Sequence, residues 1–333
     1  MSTAKKLSFY LSLVAGTLLI LITLLSLIYD VRFWFLKALD FPRVQVLIGL
    51  LLTLILFTGA KDQWKFPSYS IVVGMICSIA IQARFVLPYT IFASEAVETL
   101  PPALADDSRT FSLLVANVWM KNEHVDDFLQ IVYDTDPDIV LAMETNSWWI
   151  EQLSPLQEAF PHKVVYPLDN TYGMALYSKL PLQNIQIKFL KKEKVPSIHT
   201  EVKLSGNAYF VLHAMHPVPP KPSKHPDNVG EEEEELLKVG KMVQQSQLPT
   251  VVAGDLNDVA WSKTSRLFGI ESKLGDIRIG RGLYSTFDAT SFIMRWPLDH
   301  IYVSNAFKVV NLQRLPKFGS DHFPLYAELA LTE

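Results

Sequence analysis

Six places along the chain set a carboxylate, carboxamide or imidazole side chain at the edge of an apolar run. Asn117 follows FSLLVA, Glu144 follows DIVLAM, His216 follows YFVLHAM, and Asp255 with Asn257 follows PTVVAG. Asp321 and His322 form a pair near the end of the chain, and Asp299 opens the run in WPLDHIYVS. A β-strand can keep its apolar part in a core while aiming the polar residue at its end into a cleft shared with other strands. Each position alone has a plainer explanation: Asn117 as a turn cap, Glu144 as a helix N-cap or surface residue, Asp255 with Asn257 as an Asx-turn. The single cysteine, Cys77, lies inside an apolar run and permits neither an internal disulfide nor a thiolate zinc site.

The elements that must position these residues are short β-rich runs alternating with helical stretches from about Phe111 onward. Strands are predicted at FSLLVANVW, PDIVLAMET, MALYSKL, IHTEVKL, AYFVLHAM, PTVVAGDL, LDHIYVS and LYAELAL, with helices at HVDDFLQIVYDT and LLKVGKMVQQ. This pattern fits an α/β domain with packed sheets better than an all-helical one. The acidic run Glu231 to Glu235 follows Asn228 and Gly230 and reads as the first turns of a helix, its carboxylates solvated and complementing the helix dipole. Residues 89–110, with Pro101, Pro102 and no apolar period, read as a linker.

The pieces ANVWMKN, DIVLAMETN, YGMALYSKLPL, HAMHPVPP, VVAGDLND, PLDHIYVS and GSDHFPLYAEL resemble, in order and spacing, the motifs of the endonuclease/exonuclease/phosphatase superfamily. GDLN and the terminal SDH are the most specific of these. HAMHPVPP and DLNDVAWS look like a membrane-tethered bacterial branch. The resemblance implies a four-layered α/β sandwich, two mixed sheets face to face with helices outside and the site at one end, over residues 111–333. It implies a phosphate-ester hydrolase, a phosphodiesterase, nuclease or phosphatase. Water attacking a phosphate ester meets charge repulsion, so a hard cation held by oxygen ligands is needed; that points to magnesium or manganese.

By the same resemblance Glu144 is the first metal ligand, with Asn117 and Asp321 beside it. Asp255 orients or deprotonates the attacking water, and Asn257 hydrogen-bonds the phosphate oxygens. His322 is held by Asp299 in a carboxylate–histidine pair, and His216 is a second phosphate contact. His213, three residues from His216 in a strand, falls on the opposite face and reads as a spectator. Asp258 reads as a turn-forming solvent carboxylate rather than a second acid, and His300 as structural. Tyr172 reads equally as a substrate neighbour or a packing aromatic.

The apolar excess of the chain sits in three nearly charge-free runs, residues 7–29, 44–60 and 68–83, which read as three membrane helices making up residues 1–88. A cleaved signal peptide fits the first run less well, since it is too long and two more runs follow. A third run packed on the soluble domain is the alternative to a third span. Positive charges tie across the two sides: Lys5, Lys6, Lys61 and Lys65 against Arg32, Lys37, Arg43 and Arg84. Lys5 and Lys6 beside the first helix favour an inside N-terminus, which places residues 107–333 outside the cytoplasm of a plasma or inner membrane.

Residues 107–333 hold 22 Lys plus Arg against 28 Asp plus Glu, a net charge of −6 with no basic stripe. Nucleic acid is therefore not favoured as a partner, and the anchor leans toward a phosphate ester of the lipid bilayer. Two other classes compete. A catalytically silent membrane scaffold of the same fold would have lost a ligand position, and none is lost. A transporter would carry ionisable residues within its spans, and these runs have none.

Overall fold

The computed structural model describes residues 3–28, 34–61, 64–219 and 231–332. The end of the first apolar run, Arg32, Asn228 and Gly230 lie outside them, as do the side chains of Glu231 to Glu234. The N-terminal part comprises α1 (Thr3–Leu25), a single-turn α2 (Trp34–Lys37), α3 (Arg43–Ala60) and α4 (Phe66–Val86). Among the described residues three helices are long and apolar enough to cross a membrane, with mean hydropathies of 2.2, 1.9 and 2.0. They pack on one another through Leu50, Phe57 and Met75, while Leu18, Leu52 and Ile55 remain exposed on the outer faces. The third run thus forms part of this bundle.

The remainder runs β1 (Thr110–Asn117), α5 (Val125–Thr135), β2 (Ile139–Met143), α6 (Ser147–Gln152), α7 (Leu156–Ala159), β3 (His162–Tyr166) and β4 (Met174–Ser178). It continues with β5 (Leu182–Lys188), β6 (Ser197–Lys203), β7 (Tyr209–Ala214), α8 (Glu231–Gln245), β8 (Thr250–Asp255) and α9 (Lys263–Ser272). The last elements are β9 (Gly275–Asp276), β10 (Asp299–Val303), β11 (Phe307–Arg314) and β12 (Leu325–Leu331). Two six-stranded mixed sheets result, in the orders β11-β12-β1-β2-β4-β3 and β5-β6-β7-β8-β10-β9.

The central strands are apolar on both faces because both are covered. In β1, Leu113 and Val115 meet Leu212 and Val251 between the sheets, whereas Leu114 and Ala116 meet Phe128 and Trp149 of the outer helices. On the other side Val252 and Tyr302 pack under Leu236, Val239 and Phe268 of α8 and α9. Two sheets flanked by helices make the expected four layers.

Local sequence sets the helix starts. Asn146 accepts a hydrogen bond from Trp149 N to cap α6, and Ser262 accepts one from Ser265 N to cap α9. The acidic run does begin α8, but Glu235 is buried, so the solvated reading fails for that residue: the helix turns it toward the domain.

Strand register delivers the polar residues to one end of both sheets. β1 runs parallel to β2, so Asn117 pairs with Met143 and Glu144 follows directly. β7 runs parallel to β8, which brings His216 and Asp255 to the same end. β10 is antiparallel to β8 with Asp299 opposite Asp255, and β12 is antiparallel to β1, so Asp321 and His322 arrive just before β12 begins.

Residues 89–110 are laced onto this sandwich. Tyr89 packs against Trp261 and donates to Ala260 O at 2.7 Å, Glu95 pairs with Arg281 at 3.0 Å, and Thr99 bridges to Val309. Gly254 precedes Asp255 with φ +143°, and a Cβ there would stand 1.9 Å from Met215 O. Gly254→Ala should therefore cost about 3 kcal/mol or more, read as a large drop in melting temperature of the detergent-solubilised protein.

Candidate active site

All eight sequence-nominated residues gather at that end. Asn117 donates its Nδ2 to Glu144 Oε1 at 3.0 Å and to Asp255 Oδ2 at 3.1 Å, and its own Oδ1 accepts from Trp119 N at 3.0 Å. Asp255 Oδ2 also lies 3.5 Å from His322 Nε2 and 3.8 Å from His216 Nε2. His322 Nδ1 donates to Asp299 Oδ2 at 2.8 Å. Asn257 gives its backbone N–H to Asp255 Oδ1 at 2.8 Å and its Nδ2 to Pro217 O at 2.9 Å. Glu144, Asp255, Asn257, Asp321 and His322 line a cleft of about 420 Å³.

Glu144 sits at φ 62° and Asn257 at φ 55°, left-handed conformations that non-glycine residues adopt at a cost. At Glu144 the surroundings impose the turn: Asn146 caps α6, and Thr145 N donates to Gly173 O at 3.1 Å. A Cβ at Gly173 would lie 1.8 Å from Thr145 O, which is why glycine follows Tyr172.

Burial drives the electrostatics. It alone would lower His322, but the Asp299 and Asp255 carboxylates outweigh it and raise the imidazole to about 10, so His322 is charged at neutral pH. Burial raises Asp255 above its ordinary range, opposed by His322. Burial would also raise Asp299, yet His322 brings it below the ordinary value. Asp321 is pushed up by burial and by the nearby Glu144 and Asp255 charges.

The residues fit a hard cation at the mouth of the cleft. Asp321 Oδ1 is buried without a hydrogen-bond partner among the described residues, and it shares repulsion with two further carboxylates. Asp255, Asp299 and His322 also present donor atoms within 4.8 Å of one another. That trio is a poorer seat, because a protonated imidazole bonded to Asp299 has no free lone pair for a metal.

The other nominated residues lie outside the cleft. His213 is buried with its Nδ1 2.7 Å from His199 Nδ1. His300 accepts from Arg278 at 2.7 Å and donates from Nε2 to Asp258 O at 2.8 Å, held neutral by burial and by Arg278. The Tyr172 ring stands 5.4 Å from the His216 ring. Asp258 corrects the expectation of a solvent carboxylate: it is fully buried, with Lys37 at the end of α2 3.6 Å from it, because the N-terminal segment packs on the domain there.

Sequence reasoning missed Ser320, which donates to Asn117 O at 2.8 Å and accepts from His322 N at 3.0 Å. It also missed Thr286, whose Oγ1 accepts from Asp299 N at 3.1 Å. Ser320 stood beside the recognised pair; Thr286 lies in a stretch without periodicity and carried no signal.

An α/β sandwich of two mixed sheets, with carboxylates, carboxamides and imidazoles at one end, defines the class. The chain belongs to the Endonuclease/Exonuclease/phosphatase family, whose model matches residues 114–322. Similar solved structures include the D. rerio TDP2 complexed with single-strand DNA product, with a TM-score of 0.55 and 14% identity over 66% of this chain and 98% of that one. The human Nocturnin catalytic domain has a TM-score of 0.53 and 17% identity over 70% of this chain and 100% of that one. A family protein from Bacteroides thetaiotaomicron has a TM-score of 0.51 and 20% identity over 67% and 98%. Among curated proteins none matches.

The sign of the His322–Asp299 pair fixes a pH prediction. His322 contributes stability that is complete below its unfolded value of 6.5 and lost as pH rises through about 10. Asp299 contributes stability present above its ordinary 3.8 and lost as pH falls below it. In metal-free protein the melting temperature should decline from pH 6.5 to about 10, and Asp299→Asn should flatten that decline. An unchanged slope in the variant would show that the pair is not the titrating unit.

Proposed function

We propose that the chain is a membrane-anchored hydrolase of phosphate esters that works with Mg2+ or Mn2+. The observation that carries this reading is the buried Asp255–His322–Asp299 string beside Asn117 and the cleft-lining carboxylates Glu144 and Asp321. Family members typically hydrolyse phosphoester bonds and generally use divalent metals, which supports the same chemistry here.

Glu144 and Asp321 would hold the cation, with the second lone pair of Asn117 Oδ1 available beside them. Bound there, it would neutralise charge on the phosphate as water attacks. Asp255 Oδ2 takes the proton of that water; its burial-raised basicity suits the task. Asn257 has a second amide N–H beyond the one used by Pro217, and it reaches the phosphoryl oxygen. Charged His322, locked by Asp299, gives a hydrogen bond from Nε2 to the same group, and His216 adds another. The bond from phosphorus to the leaving oxygen breaks, that oxygen takes up a proton, and the new P–O bond comes from water.

The full-length protein in dodecyl maltoside should hydrolyse a chromogenic phosphate ester with Mg2+ or Mn2+, and chelator should stop it. Glu144→Gln and Asp255→Asn should each lower kcat by about 100-fold or more in folded protein. Retained activity in both variants would move the chemistry elsewhere.

The anchor consists of the three apolar helices at residues 1–88, and residues 111–333 form the catalytic domain, joined by the laced segment 89–110. Lys5 and Lys6 beside the first helix support an inside N-terminus, and with it a domain outside the cytoplasm. Alkaline phosphatase fused after Glu333 should then be active in cells; an inactive fusion of normal abundance reverses the topology.

A further inference from the structure

The cleft is amphipathic, and part of its apolar lining comes from the helical N-terminal region. Beside the carboxylates and His322, it is lined by Ala38, Phe41 and Pro42, from the turn between the first two long helices, and by Met294, Trp296 and Leu298. That turn is built into the domain rather than tethered near it. Trp261 Nε1 donates to Asp40 O at 2.7 Å, and the Phe41 ring meets Trp296 edge-on at 5.6 Å.

The depth of the cleft follows from α3. Gln45, the third residue of that helix, donates its Nε2 to Ile293 O at 2.7 Å, so the loop 288–296 lies beside the first turn of a helix able to cross the bilayer. At the tip of this loop Phe292 and Ile293 are 92% and 74% exposed. At the headgroup–acyl boundary those side chains bury in lipid rather than face water. The next charged residue, Arg295, and Arg314 both lie over the Phe323 ring, at 5.0 and 4.3 Å, where long cationic side chains can meet lipid phosphates.

We infer that the substrate is a bilayer lipid: a phosphate ester with a long apolar chain, lodged between loop 288–296 and the Ala38–Pro42 turn with its phosphate at Glu144, Asp255 and His322. This assignment rests on the hydrolase reading and specifies its substrate class. A water-soluble ester has no use for the apolar wall, and a nucleic acid would find it in place of a basic stripe.

The test holds the reacting group constant and changes only the chain. Full-length protein in dodecyl maltoside micelles, with Mn2+ or Mg2+, is given ethyl 4-nitrophenyl phosphate or hexadecyl 4-nitrophenyl phosphate. The expected kcat/KM for the hexadecyl ester exceeds that for the ethyl ester by about 100-fold or more, roughly 2.7 kcal/mol in transition-state binding. Met294→Gln should cut that ratio by about tenfold, which enrichment of the ester in micelles alone would not explain.

Equal rates, or preference for the ethyl ester, overturn the lipid assignment and leave the hydrolase standing. Turnover of neither ester overturns the hydrolase reading. An activity-independent arm then decides whether the cleft faces lipid. With Cys77, the only cysteine, changed to alanine, a nitroxide at Ile293→Cys in vesicles should be more accessible to oxygen than to a water-soluble nickel chelate. The reverse order puts the loop in water and overturns the inference.

Discussion

Asp255, His322 and Asp299 are buried together where the two sheets end, and their ionisation is tolerable only because opposite charges meet at 2.8 and 3.5 Å. Asp299 must therefore stand opposite Asp255 across β8 and β10, and His322 must enter from the segment before β12. A slip of one residue in β10 would turn Asp299 to the other face and leave a charged imidazole unpaired. Ser320 and Thr286 add to this by fixing the backbone on either side of the pair.

Behind the site a second buried set ties the same end of the sheet to the N-terminal helical region. Asp276 holds Arg278 at 2.8 Å, Arg278 donates to His300, and His300 donates to the backbone of Asp258. The Asp258 carboxylate in turn faces Lys37. Asp40 and Arg43 pair within the turn that covers Trp261. The Ala38–Pro42 turn and the cleft are thus parts of one packed unit, so the N-terminal helices shape the cleft as well as adjoin it.

The predicted strands are eight that formed, and those absent from the prediction are β3, β5, β9 and β11. All four are the edges of the two sheets. An edge strand is paired on one side only and often open to solvent, as the exposed residues of β5 are, so its sequence lacks the apolar density of a central strand. Helix α9 escaped for a related reason: KTSRLFGIES contributes Phe268 as its one large buried side chain, while Leu267 is half-buried and Ile270 exposed, so no apolar stripe stands out.

The sequence by itself determined the central strands, the three apolar helices and the polar residues at the strand ends, because periodicity, length and strand-terminal placement are local properties of the chain. The family motifs added the order in which those residues recur. Tertiary structure decided what lies between distant segments: that Asp258 and Glu235 are buried, and that Ser320 and Thr286 brace the site. It also decided that residues 38–42 wall a cleft whose other side comes from residues after 140. Burial and convergence depend on which surfaces meet when the sheets close, and no local pattern encodes that meeting.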